Sequence, residues 1–192
     1  MRAARDSRVD WSSALSKKLK GAERLMVLGV GNPRKGDDAA GSLCISLLLR
    51  ELNRRNRPAG AGEVERERSS HLQGSKKENP ALTIQALDAG ESPENATGLI
   101  REFCPTHVLI VDAALGGFEP GTIFIVDRDK ISQDDISTHR IPLVHLIRYL
   151  EAGVGCRVVL VGIEPKNLAL GKPVSPPVKA AAARLAAWLV AF

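Results

Sequence analysis

Apolar residues along this chain fall into short solid runs separated by amphipathic stretches. Residues 24 to 31, Arg-Leu-Met-Val-Leu-Gly-Val-Gly, form the first run, and its glycine ending predicts a buried strand feeding a tight turn. From Asp37 onward Ala40, Leu43, Cys44, Leu47, Leu48 and Leu52 recur at three and four, which predicts a helix with one buried face. Periodicity is lost over residues 53 to 80, rich in Arg, Glu, Gly, Ser and Pro, and this stretch reads as a mobile surface excursion. Order resumes with a strand from Leu82 to Gly90, a helix around Asn95 to Phe103, and a strand from Val108 to Ala113 that carries Asp112 at its carboxyl end. Pro120-Gly121 signals a turn, so the strand from Thr122 to Asp127 is expected to return antiparallel through a short, hairpin-like link. A helix starting just after Thr138-His139, with Pro142 at its first position, then a strand from Arg157 to Ile163 and a helix from Ser175 complete the pattern.

Strands alternating with helices predict a three-layer α/β/α sandwich around a twisted five-stranded sheet, mostly parallel and made mixed by the returning strand. Residues 1 to 22 read as an amino-terminal extension, flexible or helical, and residues 23 to 192 as a single domain. In such sheets the ligand crevice lies beyond the carboxyl ends of the strands, so that is where chemistry is to be sought.

Charge and cysteine content narrow the classes of function. The net charge is +5, but residues 1 to 20 hold six basic and two acidic side chains and residues 51 to 80 hold seven and five, which leaves 14 basic against 15 acidic from totals of 27 and 22. The expected core is therefore close to neutral, and nucleic acid is not the expected ligand. Cys44, Cys104 and Cys156 are odd in number and far apart, which argues against a disulfide framework or a thiolate zinc site and for a reducing, cytoplasmic setting. No secretory signal pattern and no run of 18 apolar residues is present in the sequence, so no membrane span is expected.

Three constellations could carry chemistry. The first is Gly29-Val-Gly-Asn-Pro-Arg-Lys-Gly-Asp-Asp-Ala-Ala-Gly41. It fails as a dinucleotide fingerprint because Arg34 stands where the third glycine belongs, and as a phosphate loop because Asp37 and Asp38 replace Lys and Ser or Thr. Two acids behind a glycine turn at a helix start are either caps, favoured there by the helix dipole, or hard oxygen donors. The second is Asp112, closing an otherwise apolar strand, with Asp88 ending the preceding strand in the same manner. The third is Ser137-Thr-His139-Arg-Ile-Pro142, which sets a histidine before a helix start. Two carboxylates and an imidazole would leave open positions on a divalent ion and suit nickel or zinc. His71, His107 and His145 read as surface residues, and no His-Glu-x-x-His or Gly-x-Ser-x-Gly motif is present.

These segments resemble the hydrogenase maturation endopeptidases. Gly29-Val-Gly-Asn32 with Gly36-Asp-Asp-Ala-Ala-Gly41 is similar to that family's opening motif, Leu87-Asp-Ala-Gly90 to its Asp-Gly-Gly segment, Ile110-Val-Asp-Ala113 to its third-strand aspartate, and Thr138-His139-Arg-Ile-Pro-Leu143 to its Thr-His-x-x-Pro-Leu segment. The similarity runs in order from about residue 24 to 190. It is strongest toward the branch serving formate-lyase-type or coenzyme-F420-reducing hydrogenases.

The resemblance implies a phosphorylase/hydrolase-like α/β fold and a nickel-dependent endopeptidase that removes the carboxy-terminal extension of a nickel-iron hydrogenase large subunit precursor. The nickel would be supplied by the substrate, although another divalent ion could occupy the site in vitro. Asp38, Asp112 and His139 fall on the family's metal-contacting and catalytic positions, with Gly31, Asn32, Gly36, Asp37, Asp88 and Gly90 binding substrate or supporting the turns. The expected partner is that precursor, met by a monomer without nucleic acid. The chain departs from the family in its amino-terminal stretch, its enlarged segment after the first helix, and Ala89 where glycine is common.

Two other readings stay open at this level. Gly-x-Gly-Asn-Pro also occurs in peptidyl-tRNA hydrolases of related architecture, although their histidine-asparagine pair is missing here. A non-catalytic chaperone sensing nickel in the large subunit would need the same ligands.

Overall fold

The computed structural model describes residues 10–55, 82–127 and 140–192. Five strands form one sheet: β1 (Arg24–Val30), β2 (Thr83–Gly90), β3 (His107–Ala113), β4 (Ile123–Ile125) and β5 (Arg157–Ile163). Their spatial order is β2-β1-β3-β5-β4; the first four are parallel and β4 runs antiparallel to β5. Helices α1 (Trp11–Lys18), α2 (Ala40–Arg55), α3 (Thr97–Phe103), α4 (Arg140–Tyr149) and α5 (Pro176–Ala191) cover the two faces.

Alternation of side chains along each strand divides the core in two. Leu25, Val27, Leu109, Val111, Val159 and Val161 face one side, where Leu15 of α1, Cys44 and Leu48 of α2, and Val178 and Leu185 of α5 close over them. Met26, Leu28, Val108, Ile110 and Leu160 face the other, under Ile100 of α3, Leu143 and Leu146 of α4, and Leu150 directly after it. Apart from Arg24, His107 and Asp112, β1 and β3 are apolar because both their faces are covered, as parallel strands in the middle of a sandwich require.

Three features depart from the pattern-based expectation. β4 has the antiparallel sense expected of it, but its partner is β5 and not β3, because β5 already occupies the β3 edge through a full parallel ladder. The helices expected from Asp37 and near Asn95 each open with a 3-10 turn, Gly36–Ala39 and Pro93–Ala96, before the α-helix proper. The core also takes in Leu15 and Leu19, both essentially unexposed, so the packed structure begins ahead of β1. Pro142 is the third residue of α4, still within the first turn, where its missing N–H breaks no helical bond. The part of the 53 to 80 excursion beyond residue 55 lies outside the described residues.

What the fold decides for function is where the crevice opens. The chain leaves β1 through α2 on one face to reach β2, then returns through α3 on the other face to β3. The connection changes face between β1 and β3, which makes their carboxyl ends the topological switch point, the place where doubly wound sheets bind ligands.

Candidate active site

Asp38 and Asp112, two of the acids singled out in the sequence, sit at this switch point. Asp112 is the penultimate residue of β3, wholly buried, and shares the α3/α4 face with Val108 and Ile110. Asp38 lies in the 3-10 turn after β1, 1% exposed, and that turn packs against β3. Two glycines make this approach possible. A Cβ on Gly41 would stand 2.3 Å from the carbonyl oxygens of both Val111 and Val30, so only glycine lets α2 begin directly above the ends of β1 and β3. A Cβ on Gly31, whose φ is +148°, would lie 1.9 Å from the Asp38 carbonyl oxygen.

The adjacent pair Asp37 and Asp38 is split by the fold into different tasks. Asp37 is fully buried and accepts four hydrogen bonds: from the backbone N–H of Lys166 at 2.8 Å, Asn167 at 3.0 Å and Ser175 at 2.5 Å, and from Ser175 Oγ at 2.9 Å. Its own N–H donates to Asn167 O at 2.8 Å. Asp37 thus ties the turn after β1 to the loop after β5 and to the start of α5, and its carboxylate is committed to that clamp. Asp38 Oδ2 accepts the Asn32 N–H at 3.1 Å, which closes the Gly31–Gly36 loop back onto the acid.

The remaining candidates support turns. Asn32 Oδ1 accepts the Arg34 N–H at 2.8 Å while its Nδ2 donates to Glu91 at 2.8 Å, and Gly31 donates to the Gly90 carbonyl at 2.9 Å. Gly36 opens the 3-10 turn. Asp88 differs from Asp112 in being exposed, and its Oδ1 accepts from Ser42 Oγ at 2.7 Å and from Gly90 N at 3.1 Å. Asp88 and Asp112 are not in register: Asp88 aligns through Gly29 with Val111 and meets α2 through Ser42, whereas Asp112 lies on the α3/α4 face, and β2 is an edge strand while β3 is central.

His139 lies outside the described residues, as does His71; α4 starts at the residue after His139. α4 covers the face that carries Asp112 and contacts the turn Pro93–Ala96 beyond the end of β2. Among the described residues no three His, Cys, Asp or Glu side chains group so as to hold a metal ion. His145 is exposed, as expected. His107 is not: it is 3% exposed, because it is drawn into the ladders with Leu25 and Arg157 at the opposite end of the sheet. Burial, with the Arg157 charge adding to it, lowers its pKa.

Glu164 escaped the sequence pattern although it carries the signal that marked Asp112, an acid closing an apolar strand. It follows β5, is 5% exposed, and accepts the Gly116 N–H at 2.7 Å, holding the loop beyond β3. Burial raises its pKa against the opposing pull of backbone N–H groups from Gly116, Phe118 and Gly117.

The family model for hydrogenase maturation proteases matches residues 68–191. A Methanocaldococcus jannaschii protein assigned to the same group is 30% identical over 174 residues, covering 90% of each chain. The chain belongs to the hydrogenase maturation proteases. The hydrogenase 3 maturation protease of Escherichia coli is 40% identical to this maturation protease over 94 residues, covering 48% of this chain and 60% of that one. The crystal structure of a [NiFe] hydrogenase maturation protease from Thermococcus kodakarensis superposes with a TM-score of 0.69 at 29% identity, over 93% of this chain and 97% of its own. The solution structure of an Escherichia coli endopeptidase of this family gives 0.62 at 31% identity, over 86% and 91%. The protein is thus a peptidase of the hydrogenase maturation family. Among the described residues no helix is long and apolar enough to cross a membrane.

Proposed function

We propose that this protein is the endopeptidase that removes the carboxy-terminal extension from the large subunit precursor of a nickel-iron hydrogenase once nickel has been inserted. The observation that carries this reading is the convergence of Asp38 and Asp112, both buried, at the β1/β3 switch point of a chain belonging to this family. Asp38 comes from the turn after β1 and Asp112 from the end of β3, so a divalent ion entering the crevice would meet hard oxygen donors held in place by the backbone. His139, one residue ahead of α4, is the third ligand in this reading. The nickel belongs to the substrate and serves as its recognition signal.

Two acids and an imidazole leave room on the ion for the scissile carbonyl or for water, and a carboxylate beside it would take the proton of the attacking water. In this reading the oxygen donors of Asp38 and Asp112 bind the cation that arrives with the substrate, and an apo-precursor brings no ion for them to bind, so cleavage would follow only metal delivery.

The test is incubation of the purified protein with nickel-loaded and nickel-free precursor, followed by mass spectrometry of the large subunit. Loss of a carboxy-terminal peptide is expected only from the loaded form, and Asp38→Asn, Asp112→Asn and His139→Ala should each lower the rate at least about 100-fold with melting unchanged. Normal processing by any one variant would remove that residue from the site, and a stable complex without cleavage would turn the protein into a nickel-sensing chaperone.

A further inference from the structure

Two loops border the Asp38 turn at the carboxyl edge of the sheet: residues 32 to 35 after β1 and residues 165 to 174 after β5. They are bound into one piece. Besides the Asp37 clamp, Gly171 N–H donates to the Arg34 carbonyl at 2.8 Å, and Asn167 Oδ1 accepts from Ala169 N at 2.8 Å within the second loop.

Exposed on this piece are Arg34, Lys35, Lys166 and Lys172, with Leu170 standing 75% exposed among them. Neither loop contains an exposed acid. Among the described residues the ion pair is Arg54–Glu51, and none of the four cations takes part in one. Glu91, beyond β2, is engaged by the side-chain amide of Asn32. Outside its two charge-rich stretches the chain is nearly neutral, so four cations without an acid on one rigid rim reflect local sorting of charge.

We propose that this paired-loop rim docks an acidic stretch of the protein substrate, seating it beside Asp38. The inference rests on the endopeptidase reading for the identity of the substrate. Cations fixed on a pre-ordered backbone attract an acidic segment at long range and lose little backbone freedom on binding it. Leu170 offers the apolar contact around which such a segment would close. The clamp through Asp37 links the rim to the catalytic turn, so docking and cleavage share one frame.

The experiment measures the affinity of the nickel-loaded large subunit precursor for the enzyme, together with KM and kcat for its cleavage, at about 50 mM and about 300 mM salt. Arg34→Glu/Lys35→Glu and Lys166→Glu/Lys172→Glu are each expected to weaken binding and raise KM about tenfold at low salt with kcat within about twofold, and to abolish the salt dependence seen in the wild type. Lys17→Glu/Lys18→Glu on α1, exposed and away from the crevice, should change neither by more than about twofold. The corresponding glutamine pairs, expected to lose about threefold, decide the matter if charge reversal unfolds the protein. Unaltered or tighter binding by the folded rim variants overturns the inference. Rim-dependent binding without any cleavage by the wild type would uphold the docking surface and remove the endopeptidase reading; cleavage with rim-independent KM would do the reverse.

Discussion

Asp37 and Asp38 are neighbours of one chemical type, yet a single residue of displacement separates a clamp from a candidate ligand. Asp37 gathers three backbone N–H groups and a hydroxyl from segments about 130 residues away, and removing it takes the acceptor from these part-buried bonds. Asp37→Ala should therefore cost about 3 kcal/mol of unfolding free energy, seen as a lowered urea midpoint, with Asp37→Asn losing less because one acceptor oxygen is kept. Glu164 supplies a test in pH. Its carboxyl is held above its ordinary 4.5 chiefly by burial, so the folded chain binds that proton more tightly than the unfolded one. Its contribution to stability is full below 4.5 and declines as pH rises through the higher folded-state value. Across urea titrations from about pH 4 to about pH 7, wild type should lose stability relative to Glu164→Gln; a flat or growing difference would contradict the assignment. Residue identities in the sequence show which side chains are able to accept, bind metal or titrate. The partners that select among those options come from loops remote in sequence; residue type alone therefore did not separate Asp37 from Asp38, a division that came from the family resemblance, and Glu164 was not singled out at all.

At the level of elements, strands β1, β2, β3 and β5 and the helices between them follow directly from apolar runs and three-four spacing, since a covered strand must be apolar and a covered helix must carry a stripe. The close seating of α2 on the sheet is less visible. It depends on Gly41 meeting the carbonyls of Val30 and Val111, a contact across three elements. Gly41→Ala should lift the first turn of α2 from the β1/β3 edge, lowering stability by about 2 kcal/mol and impairing precursor processing beyond what the loss of stability explains. Unchanged urea midpoint and processing would show that the helix tolerates a methyl there. β4 shows the complementary limit: a short turn predicts an antiparallel strand but not its partner, because pairing is settled by competition for sheet edges, and β5 takes the β3 edge.

For the whole molecule, the described part of the amino-terminal segment is integral to packing. Leu15 is fully buried against the α2/α5 layer, and Trp11 meets Trp188 of α5 edge to face at 5.8 Å. Leu15→Ala should cost about 3 kcal/mol, measured by urea denaturation, whereas a dispensable extension would show almost no change. What the amino-acid sequence by itself determined is the alternation of strands and helices, the α/β/α class and the family motifs, because backbone periodicity and motif chemistry are local properties. Tertiary structure alone decided that the chain changes face between β1 and β3, that Asp112 is buried while Asp88 is exposed, and that Asp37 is a clamp beside Asp38. Those outcomes depend on which strand is central and which loops meet at its end, and such contacts form only when segments far apart in sequence are packed against one another.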